Sequence, residues 1–228
     1  MAKFLKIIRE NNENLLINKF IETFKAKIKQ KLKKSKRFSF VLTGGQSPII
    51  LYKNLAKVKK INWRSIDFFI GDERYVKDSS KNSNINMCKK YFLNKINIST
   101  KQIFKIPTDS SSIRKDSENY EKVIKKYFLY KKKSFDLVLL GIGNDGHIAS
   151  LFKKNINKNT TKDVDFVRKK DFSRITLTIK CINRSNLIFL WAPGKKKSLI
   201  IKKVLLDKKF KYPASYLNNK NSFLFYSN

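Results

Sequence analysis

The 228-residue chain carries 52 Lys and Arg against 17 Asp and Glu, a formal net charge of +35, with 41% hydrophobic residues and 18 phenylalanines. That apolar and aromatic content excludes a disordered chain and suffices for one substantial core, so a single domain over 1–228 is expected. No apolar stretch reaches membrane-spanning length, and charges interrupt the start MAKFLKIIRE too early for a secretory signal; a cytoplasmic protein with no membrane partner is expected.

Apolar residues at helical spacing, among them Leu16, Phe20, Phe24 and Ile28, predict that the first 34 residues are mostly helix. A strand is expected at Phe38 to Leu42, then the turn TGGQSP (43–48) and a helix with Ser47 as its N-cap and Pro48 at its first position. A second strand, Ile66 to Ile70, leads into GDERYV (71–76), and a helix beginning near Ser83 carries Met87, Tyr91 and Phe92. Ile103 to Ile106 reads as a short strand ended by Pro107, and Asp116 to Tyr130 as a helix. Phe135 to Leu140, five apolar residues in six without alternation, suits a parallel strand buried on both faces. Polar residues 153–162 are expected to form a surface loop. Strands then follow at Asp165 to Val167, Arg174 to Ile179 and Leu187 to Trp191, a helix at Lys195 to Leu206 and a last strand at Phe223 to Phe225. Strands alternating with helices specify an α/β fold with a mostly parallel sheet and helices on both faces. No internal repeat or linker divides the chain.

In such sheets ligands collect beyond the carboxyl ends of the strands, where the distinctive turns of this chain fall. TGGQSP offers the amides of Gly44 and Gly45, the Ser47 hydroxyl and a helix N-terminus, a set suited to phosphate. It lacks a Walker lysine and a GxGxxG pattern, so no nucleotide is implied, and strand–GG–helix is also an ordinary tight turn. GDERYV sets Asp72, Glu73 and Arg74 after a buried run, where charge is costly unless paired or ligand-bound. The planar fork of Arg74 suits phosphate or carboxylate; its alternative is an internal ion pair with Asp72 or Glu73. GIGNDGHIASLF (141–152) holds the only histidine of the chain, His147, two residues after Asp145. An imidazole that takes and returns protons near neutral pH, beside a carboxylate, is a candidate general base; the alternative is a structural histidine. In WAPGKKKS (191–198) lysines open a helix against its macrodipole, an arrangement that a bound anion would compensate.

Cys88 and Cys181 are far apart and have one histidine to share, so neither a disulfide nor a zinc site is supported and both are expected to be reduced and structural. Eight of the basic residues are arginine and 44 are lysine, spread from end to end beside abundant Asn and Ile in the manner of an AT-rich coding sequence. The runs KLKKSKR (31–37), KKK (131–133) and KKK (195–197) read as solvated helix ends and loops. A basic nucleic-acid-binding protein is the alternative from another class. It would cluster its charge on one face and favour arginine, so no specific nucleic-acid partner is expected.

Taken in order, TGGQSP, GDERYV, NSNINM (82–87), GIGNDGHIASLF, RITLTI (174–179) and WAPGKKKS resemble the 6-phosphogluconolactonase family along nearly the whole chain. The resemblance implies a modified Rossmann-like fold. It also implies a sugar-phosphate substrate, hydrolysis of 6-phosphogluconolactone to 6-phosphogluconate in the oxidative pentose phosphate pathway, and no cofactor or metal. Carried over by position, it makes His147 the general base and Asp145 the carboxylate that orients it. Gly44, Gly45, Ser47, Asp72, Arg74, Arg174 and Lys197 become substrate-binding residues, Lys197 because the family lysine stands three residues after the glycine. The chain departs from the pattern at Ile148, Lys153 and Lys77, and in a short segment before RITL that lacks the usual prolines. A glucosamine-6-phosphate deaminase is the nearest alternative, with Asp72 as proton-shuttling base; its pattern carries an acidic residue where this chain has Phe152. The oligomeric partner is not specified.

Overall fold

The computed structural model describes residues 6–129, 134–209, 211–217, 220 and 222–228. The lysine run 131–133, the predicted helix end at Tyr130 and the first five residues of the predicted amino-terminal helix lie outside the described residues.

The strands are β1 (Lys6–Glu10), β2 (Phe38–Leu42), β3 (Ile66–Ile70), β4 (Asp72–Arg74), β5 (Ile103–Phe104), β6 (Leu137–Gly141), β7 (Val164–Val167), β8 (Arg174–Leu177), β9 (Ile188–Ala192) and β10 (Ser222–Ser227). The helices are α1 (Glu13–Leu32), α2 (Ile49–Ala56), α3 (Asn84–Tyr91), α4 (Ile113–Tyr127), α5 (Ile179–Asn183) and α6 (Lys195–Leu206). Seven strands form one sheet in the order β1-β10-β9-β6-β2-β3-β5, with every pairing parallel.

β2, β3 and β9 are buried at every position, which requires cover on both faces. Adjacent phenylalanines on β3 reveal that cover, because successive side chains of a strand point to opposite faces. The Phe68 ring meets Phe40, Trp63 and Phe92, and Phe40 in turn packs on Phe24 of α1. Phe69 turns the other way, stacking on Phe104 at 4.4 Å and meeting Tyr127 of α4. On the α1 side Phe20 also gathers Phe189, Trp191 and Phe225, so one helix binds both halves of the sheet.

The sequence reading differs from the structure in informative places. Residues Lys6–Glu10 form an edge strand rather than helix; only Ile8 of the five is buried, and so one-sided a strand shows no clear period. The charged turn after β3 is itself a strand. β4 pairs antiparallel with β8, and β8 with β7, making a second sheet of three strands beside the mostly parallel sheet that was expected. Ser47 does not cap α2: Pro48 holds the N-cap position with helical dihedrals, and no side chain bonds there. α4 begins three residues earlier than expected, because Ser112 accepts the amide of Lys115. The short α5 went unrecognised, although Thr178 caps it. Within the basic runs, Lys31 and Arg37 are not simply solvated: Lys31 pairs with Asp136 at 2.7 Å and Arg37 with Asp67. Among the described residues no helix is long and apolar enough to cross a membrane.

At the centre of the sheet β2 and β6 are neighbours. The next main-sheet strand after β2 is β3 on one side, and the next after β6 is β9 on the other, reached by way of β7 and β8 of the second sheet. A reversal of strand order between adjacent parallel strands leaves a crevice at their carboxyl ends.

The opposite end of the same strand pair is pinned by one carboxylate. Asp136 accepts the Ser39 amide at 2.9 Å and hydroxyl at 3.0 Å, the Asn186 side-chain amide and the Lys31 ammonium. Asp136→Ala strands the buried Ser39 amide and hydroxyl. It should lower unfolding free energy by about 3 kcal/mol, read as a reduced midpoint in urea denaturation with unchanged slope.

Candidate active site

All seven glycines of the chain lie at or just beyond the carboxyl ends of β2, β3, β6 and β9, where the backbone must leave the sheet tightly. The loop after β2 is held from behind by Tyr52 of α2, whose hydroxyl accepts the Thr43 amide at 3.0 Å and donates to the Thr43 carbonyl at 2.8 Å. Two further bonds tie it to its neighbours: Gly141 N–H donates to Thr43 Oγ1, and Trp191 Nε1 donates to the Ser47 carbonyl. Gly44 is fixed as glycine by space, since a Cβ there would lie 2.0 Å from the Asn84 side chain. The Ser47 hydroxyl makes no hydrogen bond among the described residues and faces the crevice.

The acidic pair after β3 serves first as scaffold. Glu73 accepts the backbone amides of Arg74, Asn84 and Ile85 and the Ser83 hydroxyl, closing the amino end of α3. Burial pushes its carboxyl up to about 7, against the three amides that favour the ionised form. Burial likewise raises the Asp72 carboxyl; the Ser150 hydroxyl, donating at 2.8 Å, and the charges of Arg74, His147 and Arg174 oppose it. Arg74 forms no ion pair with Asp72 or Glu73. One guanidinium nitrogen donates to the Asn82 carbonyl at 2.7 Å, and the remainder is free among the described residues.

After β6 the chain doubles back. Gly143 N–H donates to the His147 carbonyl at 2.8 Å, and His147 Nδ1 meets Asp145 Oδ1 at 2.5 Å. An ionised carboxylate only accepts, so Nδ1 carries the hydrogen toward it and the lone pair of a neutral ring resides on Nε2. Among the described residues Nε2 has no hydrogen-bond partner. Burial alone would raise the Asp145 carboxyl, but the bond and charge of His147 outweigh it and hold the group below its ordinary value. Ala149, two residues on, has φ of 48°, a left-handed conformation that costs a non-glycine residue energy and recurs at functional sites. From α6, Lys197 donates to the Ile142 carbonyl at 2.6 Å and to Asn144 Oδ1 at 3.0 Å; burial lowers its pKa, with Asp145 opposing.

These elements enclose a cleft of about 300 Å³ whose lining includes Gly44, Gly45, Ser47, Asp72, Arg74, His147 and Lys197. A second cleft, of about 400 Å³, adjoins it and shares Asp72, Arg74, His147 and Ala149. Asp145 and Arg174 face this second space rather than the first. Arg174 is already engaged, through two bonds to Asp171 and one to the Phe172 carbonyl. Asn84, which carries no chemical signal in the sequence, lines the first cleft and donates to the Asp72 carbonyl at 2.7 Å. Ala149, Lys169 and Asp171, equally unmarked, line the second. Asn84 stood inside a quoted motif, but its approach to Gly44 is a tertiary contact that no local pattern encodes. Among the described residues no three His, Cys, Asp or Glu side chains gather as a metal site, and both cysteines are buried and free.

The arrangement brings an imidazole whose Nε2 is unpartnered among the described residues into one cleft with two cations, Arg74 and Lys197. A family model described as glucosamine-6-phosphate isomerases/6-phosphogluconolactonase matches residues 11–225. The chain is 31% identical over 202 residues to the 6-phosphogluconolactonase of Thermotoga maritima, covering 88% of each chain. It is 29% identical over 212 residues to the 6-phosphogluconolactonase of Synechocystis sp., covering 90% of this chain and 88% of that one. The Thermotoga maritima crystal structure matches this fold with a TM-score of 0.85, over 97% of this chain and 99% of that one, at 28% identity.

A Cβ at Gly143 would lie 2.1 Å from the His147 ring and 2.7 Å from Asp145 Oδ1. Gly143→Ala should therefore drive the imidazole off its carboxylate. Because the chain has one histidine, proton NMR reads this directly: the downfield Nδ1 proton seen in the parent should vanish while the dispersed methyl signals of the core remain.

Proposed function

The chain belongs to the glucosamine-6-phosphate isomerase/6-phosphogluconolactonase family, and we propose that it hydrolyses 6-phosphogluconolactone to 6-phosphogluconate by water attack assisted by His147. One observation carries the proposal: an imidazole with Asp145 on Nδ1 and a free Nε2 lines the same cleft as two cations, Arg74 and Lys197.

His147 Nε2 takes a proton from water as the water oxygen attacks the lactone carbonyl carbon. Asp145 keeps the ring oriented and favours the imidazolium that forms. The carbonyl oxygen becomes an oxyanion, which nearby amide or cationic donors stabilise. As the tetrahedral intermediate collapses, the bond from the carbonyl carbon to the ring oxygen breaks, and the imidazolium returns its proton to that departing oxygen. The scheme uses neither metal nor cofactor.

The phosphate is remote from the reacting carbon and serves as a handle. Its binding energy holds the carbonyl near Nε2 and so contributes to rate as well as affinity. Arg74, Lys197, the Ser47 hydroxyl and the amides of Gly44 and Gly45 form an anion seat in the first cleft, on the loop side of His147. Asp72, held by Ser150, borders the sugar.

His147→Ala should lower lactone turnover by at least about a hundredfold with the fold retained, after subtraction of spontaneous ring opening. Arg74→Ala and Lys197→Ala should mainly raise KM. Parent-like turnover by the His147 variant would remove the mechanism. Ammonia release from glucosamine 6-phosphate without lactone hydrolysis would remove the substrate assignment.

A further inference from the structure

The second cleft contains a cation that the scheme above leaves unused. Lys169 Nζ lies 3.8 Å from the centre of the Phe152 ring, close enough for a strong cation–π contact. It has neither ion pair nor hydrogen bond to protein among the described residues. The other two cations lining that space are committed: Arg174 to Asp171, and Arg74 in part to the Asn82 carbonyl. The Phe152 ring also meets the His147 ring, with centroids 4.7 Å apart, and the Arg174 guanidinium lies 5.6 Å from its centre. One aromatic side chain thus touches both the proposed base and a free ammonium. This is the position at which the sequence carries Phe152 in place of an acidic residue.

We propose that Lys169, held on the Phe152 ring, is the seat for the carboxylate that ring opening creates. The inference rests on the lactonase reading for the identity of the ligand. It follows from how the two clefts share His147. The first holds the free Ser47 hydroxyl, the glycine amides, Arg74 and Lys197, a set suited to the phosphate. With the phosphate there and the carbonyl carbon at His147, the carbonyl end of the same molecule points into the second cleft. That cleft also presents Asp72, Asp145 and Asp171, so a new carboxylate entering it meets repulsion unless a cation answers it. Arg174 and Asp171 offset each other, leaving Lys169 to do so. The cation–π contact holds the ammonium in place without neutralising it.

The test compares two unreactive ligands by calorimetry: 6-phosphogluconate, which has the carboxylate, and glucitol 6-phosphate, which has the same chain and phosphate but an alcohol in its place. Lys169→Ala should weaken 6-phosphogluconate binding about tenfold, the scale of one charge-assisted contact. Glucitol 6-phosphate binding should change less than twofold, and Lys169→Arg should restore most of the loss. Lys170→Ala removes the same charge at the next, exposed position outside the cleft lining and should alter neither affinity. Equal weakening of both ligands, equal effects of the two alanine variants, or no effect of Lys169→Ala would each overturn the seat. A parent protein that binds 6-phosphogluconate with this pattern yet fails to hydrolyse the lactone would sink the catalytic reading alone; failure to bind either ligand would end both.

Discussion

The site depends on β2 and β6 being neighbours at the point where the strand order of the main sheet reverses, with β3 beside one and β9 beside the other. There the glycine turn after β2 and the histidine turn after β6 face across a gap, joined at its base by the bond from Gly141 N–H to Thr43 Oγ1. The strand pair is also fastened at its far end, by Asp136. With both ends secured, the separation of the two loops is set by the sheet itself, whose strands lie about 4.8 Å apart.

Upon that base the polar side chains act as struts more than as reagents. Glu73 spends its two oxygens on the start of α3, which places Asn84 against Gly44. Asp72 receives Ser150, which joins the end of β3 to the histidine loop, and the Ser150 amide in turn bonds Thr176 of the second sheet. The small antiparallel sheet therefore has a specific duty. β8 pairs with β4 and carries the wall of the second cleft to the edge of the first. Charged residues directly after a buried strand are tolerable here because each finds partners that offset part of its desolvation.

The parallel core was legible because burial on both faces leaves a mostly apolar run without alternation, as in Phe38–Leu42, Ile66–Ile70 and Leu137–Gly141, broken only by Ser39 and Asp67 near the strand starts. The turns were legible because glycine is scarce in this chain and concentrated where strands end. The start of α3 near Ser83 and α6 at Lys195–Leu206 were also readable, since their signals are local. β1 and β4 were not: each is short, and each owes its conformation to a strand distant in sequence, β10 and β8 respectively. The same limit applied at the site. The pairing of His147 with Asp145 follows from two-residue spacing, whereas the engagement of Arg174 with Asp171 and the place of Lys169 on Phe152 depend on how the chain returns from β7 into β8.

Lys197 carries a consequence of its own. Its ammonium bonds Ile142 and Asn144, so in the unliganded protein it serves as the clasp of the loop that bears His147. An anion seated on Lys197, as proposed above, would compete for those protons, and whatever it gained there the loop would yield in restraint. Occupancy of the cleft and restraint of the histidine loop would then be thermodynamically linked, each biasing the other by an equal free energy.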